Sequence, residues 1–217
     1  MEYIDLSHTI TDGLVTYRGL PPVHICDYLS REASKAFYEE GTSFQIGSID
    51  MVANTGTYMD CPFHRYEDGR DLSDIHLHEV VNLPAIVIQA VDQKEIGPSF
   101  FQSQDLEGKA VLVHTGWSKH WNTETYYNQH PYLTEEAALY LKEQSVALVG
   151  IDSHNIDDSS GKKRPVHSIL LGAEIFIVEH MAHLDLLPPD GFLFSSVPPK
   201  VKGMGTFPVR AFATVYR

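Results

Sequence analysis

Asp60 and His64 fall in the densest chemical stretch of the chain, Asn54-Thr-Gly-Thr-Tyr58-Met-Asp60-Cys-Pro-Phe-His64. A hard carboxylate and an imidazole four residues apart suit zinc or manganese, but two donors fix no ion, so further ligands must come from distant segments. The Thr-Gly-Thr turn and the proline would hold these side chains rigidly at a strand edge. Asp60 is equally read as a carboxylate capping backbone N–H groups of that turn, which Asp commonly does. His64, and His167 after Pro165, are on their own ordinary hydrogen-bonded histidines. Glu179 differs: it ends the apolar run Ile175-Phe-Ile-Val178, where a carboxylate is partly buried and must find a metal or cation.

Several elements must position these groups. Alternation and apolar runs predict strands over Tyr3–Ser7, Val23–Tyr28, Ser43–Met51, Ala85–Val91, Val111–His114, Val146–Ile151, Ile175–Glu179 and Val209–Val215. The runs around 146–151 and 175–179 are apolar on both faces, as in central strands of a layered α/β architecture. A helix should open at Thr134, whose hydroxyl can cap the first turn while Glu135 and Glu136 face the positive end of the macrodipole, and end near Gln144. A short second helix should begin near Pro165, place His167 in its first turn and stop at Gly172.

With 217 residues, 43% hydrophobic and no linker-like stretch, the chain reads as one α/β domain over 1–217. Sixteen basic against 29 acidic residues give a net charge of −13, and the only basic cluster is Lys162-Lys163-Arg164, so nucleic acid is excluded as an expected partner. No signal peptide or membrane-length apolar stretch is evident, and two cysteines make no disulfide scaffold, so a cytoplasmic protein without a membrane partner is expected. No dinucleotide or nucleotide phosphate loop occurs. Twelve histidines make metal or proton chemistry worth seeking, though composition alone assigns none of them.

The Asn54–His64 segment resembles the HxGTHxDxPxH signature of the metal-dependent cyclase family, which includes bacterial kynurenine formamidases (arylformamidases). Further resemblances follow in the family's order: Asp5-Leu-Ser-His-Thr-Ile, Gly13-Leu-Val-Thr-Tyr17-Arg-Gly19, Val113-His-Thr-Gly-Trp117, Gly150-Ile-Asp152, Pro165-Val-His167, Val178-Glu179-His-Met-Ala-His-Leu184 and Pro208-Val-Arg210-Ala211. Coverage is close to full length. The resemblance implies the family's swivelling β/β/α arrangement with mixed sheets and few helices. It also implies a two-ion site, of which the two histidines serving the first ion are replaced here by Asn54 and Tyr58. An amide oxygen is a weak ligand and a phenol ligates well only when ionised, so the first position is expected to be vacant or remodelled. Asp60, His167 and Glu179 match the second position, and His64 matches the family's proton donor and acceptor or, turned inward, a fourth ligand.

The resemblance therefore implies one divalent ion, zinc or manganese, and hydrolysis of the C–N bond of a small cyclic or aryl amide, as in N-formylkynurenine cleavage in tryptophan catabolism. Tyr17, Tyr58 and Asn54 are the expected substrate contacts, and a homodimer or homotetramer is the expected assembly. A single-metal cyclase, dehydratase or lactone hydrolase is one alternative. A non-catalytic small-molecule binder on the same fold is another. Trp117 and Trp121 are read as loop anchors or, alternatively, as lining the same pocket, Cys61 as a buried small residue, and His76, His78, His114, His120, His130, His154, His180 and His183 as scatter.

Overall fold

A computed structural model describes residues 1–216. Its strands are β1 (Glu2–Asp5), β2 (His24–Leu29), β3 (Ile46–Asp50), β4 (Tyr58–Asp60), β5 (Leu83–Gln89), β6 (Glu95–Ile96), β7 (Ala110–His114), β8 (Tyr132–Leu133), β9 (Leu148–Ile151), β10 (Phe176–Glu179), β11 (Phe192–Ser195), β12 (Thr206–Pro208) and β13 (Phe212–Val215). The α-helices are α1 (Arg31–Ser34), α2 (Glu135–Glu143) and α3 (Pro165–Gly172). Nine strands form one mixed sheet in the order β1-β13-β11-β5-β7-β9-β10-β4-β12, which bears out the expected mixed sheet with few helices. Its centre, β5-β7-β9-β10, is parallel, and both flanks are antiparallel.

The parallel strands are largely apolar, apart from Gln89, His114 and Glu179 at their ends, because both faces are covered. On β7, Ala110 and Leu112 enter one core with Met59, Val178 and Phe194, while Val111 and Val113 enter the other with Val149, Ile177 and residues of α2 and α3. Helix α2 starts as its sequence dictates: Thr134 Oγ1 accepts from the Ala137 N–H at 3.2 Å, and Ala137, Ala138 and Leu141 face the sheet. Complete burial of Leu141 contributes roughly 1.5–3 kcal/mol. Gly172 is the last residue of α3 but does not make the left-handed turn. That conformation falls on Glu174 (φ 61°), whereas a side chain on Gly172 would meet the Tyr66 hydroxyl at 3.0 Å.

Three expectations need correction. Ser43–Met51, expected as one strand from its alternation, is strand only over Ile46–Asp50, and this β3 pairs only with β2 in a ribbon where Ile25, Ile46 and Ile49 are exposed. The expected 209–215 strand is confined to β13, Phe212–Val215, and Val209–Ala211 are the link from β12. The Asp60 segment does not lie at a strand edge. Tyr58–Asp60 is itself a strand between β10 and β12, too short for a periodicity to register.

Candidate metal centre

Strand register gathers the site. In β4, Tyr58 lies opposite Glu179 and Asp60 opposite Ile177 of β10, while on the other side Thr206 of β12 lies opposite Asp60. Directly opposed residues of antiparallel strands share a face, so Tyr58, Asp60, Glu179 and Thr206 project together, on the side of Ile177 where α3 packs. Helix α3 brings His167 onto this face from its first turn. The single turn Pro62–His64 after β4 supplies His64, beside Gly205. A Cβ on Gly205 would lie 2.3 Å from the His64 backbone nitrogen, so only glycine admits this approach. The Thr-Gly-Thr turn is pinned by its own polar atoms: the Gly56 N–H donates to Thr16 Oγ1 (2.9 Å) and the Thr57 hydroxyl to the His180 carbonyl (2.6 Å). Gly56 itself is left-handed (φ 66°).

Asp60 caps nothing in that turn. Thr206 donates its hydroxyl to Asp60 Oδ1, and Oδ2, fully buried, has no hydrogen-bond partner. Instead it faces His167 Nε2 at 3.6 Å, and Glu179 Oε1 lies 3.7 Å from the same nitrogen. Donors at about 2.0–2.1 Å around a tetrahedral ion stand about 3.4 Å apart, so each of these two separations is close to that of a donor pair on one small divalent ion, although Glu179 is not in the group of donors that lie mutually close. Asp60, His64 and His167 each offer a donor atom within 4.8 Å of the others.

The reverse edge of His167 is fixed. Nδ1 is 2.6 Å from Asp157 Oδ2, and the same carboxylate accepts the backbone N–H of Val166 (2.8 Å) and His167 (3.0 Å). Asp157 thereby caps α3 and sets the imidazole tautomer with Nε2 toward Asp60, as a carboxylate behind a metal-binding histidine does. Burial opposes charge on His167, but Glu179, Asp157 and Asp60 outweigh it and raise its pKa to about 10 when no ion competes for Nε2. Burial pushes the Glu179 carboxyl up, against the opposing pull of His167.

Glu179 spends its oxygens differently. Oε1 accepts the Ile156 N–H (2.6 Å) on the His167 side, while Oε2 accepts the Tyr58 hydroxyl at 2.5 Å. The Tyr17 hydroxyl lies 2.7 Å from that of Tyr58, donates to the His154 carbonyl (3.0 Å) and accepts from Asn155 Nδ2 (3.1 Å). Burial, then the charge of Glu179, pushes both phenols well above 10, so they are neutral donors. A cavity of about 280 Å³ opens onto this group, lined among others by Tyr17, Asn54, Tyr58, His64, His167 and Glu179.

Six of the seven sequence-derived residues thus border one cavity, and the seventh, Asp60, is buried behind His167. Asp157 and Thr206 were missed. The signal for Asp157 was Asn155-x-Asp157 ahead of a helix N-terminus, whereas Thr206, 146 residues from Asp60, left none. Three histidines treated as scatter form a packed group beside Tyr17 and Tyr126, in which His154 contacts His130 and His180, and His8 of the Asp5–Ile10 motif stacks on Trp121 at 4.1 Å. The Trp117 indole anchors its loop by donating to the Tyr126 carbonyl (3.1 Å), and Trp121 packs against Tyr126. Cys61 is wholly buried, and burial pushes its thiol up to about 12.

Fold and site define a class: a mixed α/β protein whose central sheet carries a buried two-carboxylate, one-imidazole cluster at the end of a parallel strand. The chain belongs to the cyclase family, whose model, described as "Putative cyclase", matches residues 4–158. It is 34% identical over 212 residues to a kynurenine formamidase of Geobacillus thermodenitrificans, covering 96% of this chain and 95% of that protein. Its fold is similar to that of isatin hydrolase A from Labrenzia aggregata (TM-score 0.84, 23% identity, covering 100% of this chain and 94% of the other). It is also similar to a protein described as a "predicted metal-dependent hydrolase" from Bacillus stearothermophilus (TM-score 0.77, 24% identity, 98% and 97%).

Proposed function

We propose that this chain is a single-metal amide hydrolase of the formamidase type, acting on a small aryl or cyclic amide. The observation that carries the reading is Asp60 Oδ2, a buried carboxylate oxygen without a hydrogen bond, 3.6 Å from the His167 Nε2 that Asp157 holds in place. A buried unpaired carboxylate oxygen is costly unless a cation meets it. Asp60, His167 and Glu179 Oε1 would hold the ion, and one nitrogen with two carboxylate oxygens suits zinc or manganese. The kinship with kynurenine formamidases supports the amide class.

When bound, a divalent ion supplies Lewis acidity, polarising a carbonyl and acidifying water toward a pKa of about 7. The chain's own groups supply the proton chemistry. Thr206 gives its one proton to Asp60, so the His64 Nδ1–H must donate to Thr206 Oγ1 (2.8 Å). That leaves Nε2 of His64, a partly exposed side chain on the cavity wall, to take up a proton and return it to a leaving amine. The bond to Thr206 favours this role over that of a fourth ligand. Tyr58 occupies Glu179 Oε2 with a proton that burial keeps in place, so only Oε1, which also accepts the Ile156 N–H, is turned toward His167 and one ion. Tyr17, Tyr58 and Asn54 face the cavity as the substrate contacts.

Assembly as a homodimer or homotetramer and a cytoplasmic setting belong to the same reading. An exposed free thiol at Cys26 suits a reducing compartment, and no helix among the described residues is long and apolar enough to cross a membrane. The test is a substrate panel of N-formylkynurenine, isatin and simple lactones, assayed on metal-stripped and zinc- or manganese-reloaded protein. Metal-restored cleavage of the formamide is the expected result. Undiminished cleavage without metal would overturn metal dependence, lactones alone would reassign the bond, and no turnover would leave a binding protein.

A further inference from the structure

Two arginines line the same cavity, Arg65 and Arg164. In a chain of net charge −13, arginines ordinarily find carboxylates, as Arg18 finds Glu124, Arg70 finds Glu79 and Glu174, and Arg210 finds Asp5. Neither cavity arginine has a carboxylate partner among the described residues. They are nonetheless held. Arg65 Nε donates to Ser168 Oγ (2.9 Å), whose own proton goes to the Arg164 carbonyl (2.9 Å), while Arg164 Nη1 donates to the carbonyls of Gly161 (2.9 Å) and Lys163 (2.7 Å). Each guanidinium is fixed along one edge only, and both Nη groups of Arg65 are left without a protein acceptor. Such a fork matches a carboxylate in two parallel hydrogen bonds, a geometry that a lysine would not offer.

We infer that Arg65, seconded by Arg164 through Ser168, is a specificity-determining residue that reads a carboxylate on the substrate, so that anionic amides are preferred over neutral ones. The inference rests on the amide-hydrolase reading above and names its substrate class. The two arginines flank the proton and metal groups in the chain: Arg65 follows His64, and Arg164 is the N-cap of the helix that carries His167. At about 280 Å³ the cavity is at the small end for ligand sites and fits a single-ring molecule carrying both the amide and the acid. Leu20 adds an apolar contact to the lining.

The test compares N-formylanthranilate, an anion, with neutral formanilide on zinc- or manganese-loaded full-length protein, wild type and Arg65→Leu. Arg65 is exposed and its one side-chain hydrogen bond is to Ser168, so the variant should fold. Taking each variant's ratio of kcat/KM for the two substrates cancels their intrinsic reactivity. That ratio should fall roughly 10- to 100-fold in Arg65→Leu, the value of a charge-assisted contact, through KM for the anion with kcat little changed, and Arg65→Lys should restore only part of it. An unchanged ratio overturns the inference. Calorimetric binding of anthranilate to the two proteins is read in parallel and is independent of turnover: weaker binding by the variant supports the carboxylate site, and equal binding, or none by wild type, overturns it. If neither substrate is cleaved but anthranilate binds through Arg65, the hydrolase reading fails while the carboxylate site stands.

Discussion

His167 and Asp157 form the hinge of the site: one carboxylate oxygen, 2.6 Å from Nδ1 and 3.0 Å from the backbone N–H of the same residue, fixes at once the helix start, the ring orientation and the tautomer. Removing the charge while keeping the shape separates these duties. Asp157→Asn should weaken metal affinity about 10- to 100-fold, measured by competition with a chromophoric chelator. A loss of folding stability with unchanged metal affinity would reduce Asp157 to a helix cap.

The tyrosine pair makes a stoichiometric prediction. Tyr58 holds Glu179 Oε2 with a proton it does not lose, and Asn54 lines the cavity beside it. Replacing both with histidine frees that oxygen and adds two imidazoles. Asn54→His/Tyr58→His should therefore raise bound metal from one toward two per chain by elemental analysis. No gain would mean that Tyr17 and Asn155 have closed the space.

Gly205 predicts a steric effect. Its missing side chain would sit 2.3 Å from the His64 nitrogen and 2.8 Å from the Phe63 carbonyl carbon, both backbone atoms with nowhere to move. Gly205→Ala should lower stability by about 1–3 kcal/mol in urea titration and reduce kcat by displacing His64. Gly47→Ala, in the exposed ribbon with open space at that position, is the control and should change little.

The packed histidines set an acid limit. Burial, then His183, lowers His8 to about 4; burial, then His130, lowers His154 to about 3; and burial lowers His180 well below 6.5. These rings stay neutral in the folded chain while the unfolded chain takes up protons near 6.5. The unfolded state then binds more protons, and stability falls as pH drops from 6.5 toward 4, by roughly 1.4 kcal/mol per pH unit for each fully buried ring. His167, raised to about 10 in metal-stripped protein, acts with the opposite sign above 6.5 and leaves this window alone. Urea midpoints at pH 6.5, 5.5 and 4.5 should decline steadily, and a flat profile would contradict the burial of these rings.

Much of this was legible along the chain because the signals were local. Thr134 with two glutamates announced α2, Pro165 announced α3, and the apolar runs before Ile151 and Glu179 announced covered parallel strands. Asp60, His64, His167 and Glu179 stood out through a family signature, while spacing alone would have left Asp60 as a turn cap. The rest depended on pairings with no local trace. Thr206 meets Asp60 only through the register of β12 on β4, and Tyr58–Asp60 is a three-residue strand whose identity comes from its neighbours. The exposed ribbon of β2 and β3 carries an alternating pattern that ordinarily marks a buried face, so pattern and burial parted there. His8, His154 and His180 were hidden by being histidines among twelve, since they come together only through the packing of the segments that follow β1, β9 and β10.

The central claim is that Asp60, His167 and Glu179 hold one ion. Its most direct test is elemental analysis of untagged protein, wild type beside Asp60→Ala, after equilibration with zinc or manganese and removal of free ion. One tightly held ion per wild-type chain, lost from the variant, is the predicted result. No bound metal in the wild type, or the same metal content in both proteins, would contradict it.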